Sequence, residues 1–175
     1  KAILPTFIWI VFLFSATLAI GRSFEYEFRN DAIYGLFLSG ATPANIFISK
    51  FLVNTFVIFV GQFVSVSIIA ILTTLHIFEH FAPLAILFLF VSLGFSAIST
   101  LLMPMTIGAR LKSMLLPIIL LPLIFPVLFA GLELGATIFD SGEFSFDSIW
   151  FSILLIFDVI YIALGINLFD RVILE

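Results

Sequence analysis

The chain has 175 residues, 63% of them hydrophobic and only 10% charged, with a mean hydropathy of +1.33 and a formal net charge of −4. A water-soluble domain keeps roughly 25% charged residues, so there is too little polar side chain here to cover a hydrated surface, and lipid is the solvent for most of the chain. Cysteine is absent, which excludes disulfides and thiolate metal sites. Seven Lys and Arg in a net-acidic chain exclude a binder of nucleic-acid backbones.

The chain opens on Lys1 and passes at once into an apolar run. That run has no basic leader and no small-residue cleavage site, and more apolar runs follow, so it reads as a span rather than a signal peptide. About 20 apolar residues cross a bilayer as a helix. Five stretches qualify: residues 3–20, 46–75, 83–105, 114–132 and 149–169. Lipid offers backbone groups no partner, so each is expected to be helical, and none shows the short alternating pattern of a barrel strand. The expected fold class is all-α, a polytopic membrane protein with about five transmembrane helices in one domain spanning 1–175.

The loops differ in charge. Residues 21–45 mix Arg22, Glu25, Glu27, Arg29 and Asp31, residues 76–82 are short, and residues 106–113 carry Arg110 and Lys112. Residues 133–148 carry Glu133, Asp140, Glu143 and Asp147 with no Lys or Arg. In an alternating topology Arg22, Arg29, Lys50, Arg110, Lys112 and Arg171 all fall on one side, and only Lys1 on the other. The excess of basic residues marks the cytoplasmic side, which places the C-terminus inside and the acidic loop outside. An odd span count with an external N-terminus and no initial Met is what loss of a leading span from a six-helix protein would give.

Within the first cytoplasmic loop, Phe24, Phe28, Ala32 and Gly35–Leu36 recur at helical spacing with charges between them. That pattern describes an amphipathic helix lying on the membrane or against a partner; an ordinary solvated loop is the plainer reading. Ser39–Gly40 breaks it, and Thr42–Pro43 is a helix-start signal, Thr capping and Pro at the first helical position. Asp158 lies near the middle of the last span and Glu133 at the external end of the fourth. A charge at depth usually faces protein or water, so helix packing competes with a proton or substrate path for Asp158. His76 and His80 share a face if helical, a spacing open to a metal or haem iron, although interfacial histidines capping a turn are commoner. Pro117, Pro122 and Pro126 fall inside the fourth span, each removing a backbone hydrogen bond, as a bending element or a simple packing kink would. No phosphate loop, Ser/His/Asp set or HExxH motif is present, so energy for any work comes from another subunit.

Three stretches carry a resemblance: LAIGRSFEYEFRNDAIYGLFLS at 18–39, ANIFISKFLVN at 44–54, and MTIGARLKSMLLPIILLPLIFPVLFA at 105–130. An Arg- and acid-containing helix after a span, a long next span that begins with a Lys (here Lys50), and a Gly-basic segment leading into Leu-Pro-Leu-x-x-Pro resemble the cytochrome c maturation permeases of the CcmB (haem exporter protein B) family. The resemblance covers essentially the whole chain. It implies the six-helix fold of type-2 ABC exporter permeases, with residues 22–38 as the coupling helix that docks on a cytoplasmic ABC ATPase through Arg22, Glu25, Glu27, Arg29 and Asp31. It implies that residues 133–148 form an external re-entrant loop. The implied partners are a second copy of the permease, a haem-handling membrane protein and a small single-span subunit, in a bacterial inner membrane. ATP would be used by the partner, no cofactor would be bound directly, and haem would be a transported or handled ligand. The acidic loop matches no family motif, and neither His76 nor His80 reproduces a family residue, so no haem ligand is assigned. Two alternatives remain: a type-2 ABC permease exporting a lipid, glycan or drug, and a non-transporting membrane scaffold.

Overall fold

A computed structural model describes residues 9–20, 40, 42–73, 80–107 and 112–174. The described residues form five helices and no strand: α1 (Trp9–Ile20), α2 (Pro43–Thr73), α3 (Phe81–Ile107), α4 (Lys112–Ser141) and α5 (Ile149–Leu174). The last four are each long and apolar enough to cross a membrane, and α1 is a shorter apolar helix.

α2 starts where the sequence signals it. The Thr42 hydroxyl accepts from the Asn45 N–H at 3.3 Å and the Thr42 carbonyl from Ile46 N–H at 3.1 Å, while Pro43 occupies the first helical position, where no N–H is missed. Ser148 plays the same part for α5, accepting from Trp150 N–H at 3.3 Å. α4 differs from expectation. The acidic stretch 133–148 is expected to be a loop throughout, yet residues 133–141 continue the helix and only 142–148 connect to α5. Glu133 and Asp140 are compatible with helix, and the helix ends where a residue can turn left-handed. Gly142 does so at φ +79°, its N–H donating to Ile138 O at 2.8 Å.

α3 is the centre of the bundle. Over half of its apolar window is buried inside the protein, more than in any other of the four long helices, and α2, α4 and α5 all pack on it. No Asp, Glu, Lys, Arg or His occurs in α3. Its face toward α2 is polar: Asn54 Nδ2 donates to Thr100 Oγ1 at 3.0 Å, Ser92 Oγ to Gln62 Oε1 at 3.1 Å, and Ser96 Oγ to the Phe51 carbonyl at 2.8 Å. In lipid, apolar contact alone gives helices no reason to prefer one another, so such small and polar groups select the pairing, each bond contributing on the order of 0.6–2 kcal/mol.

Glycines let the other helices approach. A Cβ at Gly131 of α4 would lie 2.9 Å from the Trp9 ring, and one at Gly135 3.3 Å from Trp9 Nε1, so α1 seats its indole in a glycine-lined notch. Trp9 also meets Phe88, and Phe12 meets Phe95, edge-on. At one end of the bundle the ring of Phe47, near the start of α2, fills the space over Gly165 of α5 and packs on Phe51 and Phe169. At the other end His80 packs on Phe139 and Gly142, which brings the start of α3 beside the α4–α5 connection.

Candidate functional site

The buried stripe of α5 runs Leu154, Asp158, Tyr161, Gly165, Phe169, one helical turn at a time. Three of these five are not aliphatic or aromatic hydrocarbon, and each meets a specific neighbour. Gly165 receives Phe47. The Tyr161 hydroxyl donates to the Leu123 carbonyl of α4. Leu123 stands three residues before Pro126, whose missing N–H leaves the adjacent Pro122 carbonyl without its helix donor. A side chain from α5 thus ties itself by a hydrogen bond to the proline-rich part of α4.

Asp158 is 4% exposed, and neither carboxyl oxygen has a hydrogen-bond partner among the described residues. It lies against Gly94 of α3: a Cβ there would come within 2.3 Å of Oδ1 and within 3.1–3.2 Å of the Val127 methyls on α4. Asp158 therefore points into the meeting of α3, α4 and α5, not toward lipid. An ionised carboxyl at such depth costs at least about 2.5–3.5 kcal/mol. Gln62 presents a second orphan: its Oε1 accepts from Ser92, but its Nε2 has no partner, at 3% exposure. A small cavity of about 10 Å³ beside it, lined by Trp9, Phe12, Ser65, Val66 and Phe88, has room for about one water.

The remaining sequence candidates are placed as follows. Arg22, Glu25, Glu27, Arg29 and Asp31 lie outside the described residues, as does His76. Glu133 is half-buried in the last third of α4, 25 residues along the chain from Asp158 and on a different helix, so the two acids do not form a pair along one face. Asp140, Glu143 and Asp147 are exposed around the α4–α5 connection. α4 runs as helix through Pro117, Pro122 and Pro126, and Pro104 adds a proline inside α3. Among the described residues no group of three His, Asp or Glu side chains is arranged to hold a metal ion. The functional features that sequence reasoning missed are Gly94, Gly165 and Tyr161. The signal of Gly165 and Tyr161 is present in hindsight, as non-aliphatic residues at helical spacing with Asp158 on one span, whereas Gly94 sits on α3 with no local pattern to mark it.

The best-formed cavities among the described residues measure about 10–20 Å³ and cluster around Val66 and Phe88. That is too small for any organic substrate within a single copy. The faces of α2 and α5 that point away from α3 are instead wide and apolar, with Phe56, Ile68 and Ile71 exposed on α2 and Ile156 and Val159 on α5.

No curated protein and no solved structure matches the chain. A protein-family profile described as CcmB protein matches residues 1–170. With a polytopic bundle of apolar helices and a family match over nearly its full length, the chain belongs to the CcmB family.

Proposed function

We propose that this chain is the membrane-spanning subunit of an ATP-driven complex for cytochrome c maturation, working as a pair of copies with a cytoplasmic ABC ATPase. Family membership carries the reading, because the CcmB family supports a haem-exporter permease role in cytochrome c maturation. The chain is accordingly a multi-pass membrane permease and not an enzyme, and ATP hydrolysis belongs to its partner. Residues 22–38, with Arg22, Glu25, Glu27, Arg29 and Asp31, are the docking segment for that ATPase. They end just before Gly40 and the Thr42–Pro43 cap, so displacement of the segment reaches the first turns of α2 directly. Phe47, seated over Gly165, then passes it to α5.

The membrane is the bacterial inner membrane. The C-terminus shares the cytoplasmic face with the start of α2, in keeping with Lys50 and Arg171 at that end. The α4–α5 connection and the acidic end of α4, residues 133–148 together, form the external region. A haem-handling membrane protein and a small single-span subunit complete the assembly. Any path for haem runs between two copies, along the lipid-facing sides of α2 and α5, whose exposed apolar residues support this reading.

The test is a charge reversal of the docking segment, Glu27→Lys with Arg29→Glu and Asp31→Lys, in the complex isolated from membranes. The ATPase subunit should no longer co-purify, and ATP-dependent cytochrome c maturation should stop. Unchanged ATPase association and turnover would refute docking through this segment and favour the scaffold reading. Recovery of the ATPase without any haem-handling partner would favour export of a lipid, glycan or drug.

A further inference from the structure

Among the Asp, Glu, Lys, Arg and His residues the structure describes, Asp158 alone is in the core. Its surroundings can be read element by element. α1 and α3 contribute no charged or titratable side chain at all. α2 has Lys50, close to its cytoplasmic start and more than five turns from the external end. α4 has Lys112, Glu133 and Asp140; the nearest to the Asp158 contact is Glu133, six residues beyond Val127, or about 9 Å of helical rise. α5 itself has Asp170 and Arg171, twelve and thirteen residues on, roughly 18–20 Å away. The titratable neighbour is Tyr161, one turn along, and its hydroxyl is committed to the Leu123 carbonyl. Among the described residues Asp158 is thus a carboxyl with no hydrogen-bond donor on either oxygen, packed over a glycine that leaves it just enough room.

We propose that Asp158 is a proton-binding site, sealed in the seam of α3, α4 and α5 and opened to exchange when α5 parts from Gly94. The packing accommodates the uncharged acid, because a carboxylate needs donors or water on its oxygens and the seam offers neither. Loss of the proton to water therefore requires α5 to move, and displacement of α5 favours loss of the proton; the two are linked in both directions. The same displacement pulls the Tyr161 hydroxyl from the Leu123 carbonyl and so loosens α5 from the proline-rich part of α4. The chemistry is proton transfer between one carboxyl and water, with no other reactant. Nothing in this depends on an ATPase, so it stands or falls apart from the proposed function.

The experiment uses the full chain in its native membranes. Dicyclohexylcarbodiimide, an apolar reagent that adds to protonated carboxyls within lipid, is applied and the adduct is located by peptide mass spectrometry. An adduct on Asp158 is expected, absent from Asp158→Asn. Because the chain has no cysteine, Phe90→Cys with Phe151→Cys can be bridged by a short bis-thiol reagent. These two rings stack edge-on across α3 and α5 at 5.1 Å. Bridging should slow labelling at least about tenfold, since exchange needs local opening. Infrared difference spectra between the unaltered chain and Asp158→Asn should show the carbonyl stretch of a protonated acid. A carboxylate band, no adduct on Asp158, or labelling indifferent to the bridge would each overturn the proposal. If Asp158→Asn fails to insert, the adduct and its sensitivity to the bridge decide on the unaltered carboxyl.

Discussion

Gly165→Ala should destabilise the bundle although alanine is the better helix former. A Cβ at Gly165 would lie 2.0, 2.4 and 2.6 Å from three atoms of the Phe47 ring, so the ring has to retreat by more than 1 Å to reach ordinary contact. It cannot retreat freely, because Phe47 is fully buried and wedged between Phe51 and Phe169. Overpacking of this kind costs about 1–3 kcal/mol, against roughly 0.8–1 kcal/mol gained from helix propensity, so the net is a loss of up to about 2 kcal/mol. Gly61→Ala is the matched control: a Cβ there meets nothing within 4 Å, so only the propensity gain remains. Thermal unfolding in mild detergent should show a Tm lowered for Gly165→Ala and level or raised for Gly61→Ala, at about 2–4 °C per kcal/mol. Phe47→Leu should recover part of the loss in the double variant, with a coupling of about 0.5–3 kcal/mol. A Gly165→Ala protein as stable as the unaltered one, with no coupling to position 47, would refute the wedge.

Three further outcomes follow from described contacts. Tyr161→Phe removes one donor and no volume; hydrogen exchange at the amides around Leu123 should rise, with a stability loss of about 1 kcal/mol. Asn54→Leu strands the Thr100 hydroxyl on α3 and should cost about 0.6–1.7 kcal/mol in detergent unfolding, less if Thr100→Val is made as well. At Gly142 the φ of +79° suits glycine and next best asparagine, so Gly142→Asn should be better tolerated than Gly142→Val, the order being read from Tm and from protease nicking at the α4–α5 connection.

The spans were legible because a bilayer demands an unbroken apolar run, and 46–75, 83–105 and 149–169 each fall within a few residues of the helices found. Which face of each span points inward was not legible. In water, hydropathy separates inside from outside; in lipid both are apolar, so Leu87 at 0% exposure and Ile71 at 74% look alike in sequence. The inward face is instead written in small and polar residues: Ser92, Ser96 and Thr100 against α2, Gly131 and Gly135 under Trp9, Gly165 under Phe47. Glu133 and Asp140 read as loop in the sequence, while the helix continues until the chain turns left-handed at Gly142. Asp158 could be singled out as a charge at depth, yet its seat on Gly94 joins positions 64 residues apart, which no local pattern records.

The seat of Trp9 also bears on how the protein is made. Its walls are Phe88 on α3 and Gly131 and Gly135 on α4, so the last of them leaves the ribosome more than a hundred residues after the indole it receives. At ~5–20 residues per second, α1 waits roughly 6–25 s with its tryptophan in lipid before a groove exists to take it. α1 is thus made before its seat exists, and the packing closes when α4 arrives to provide one.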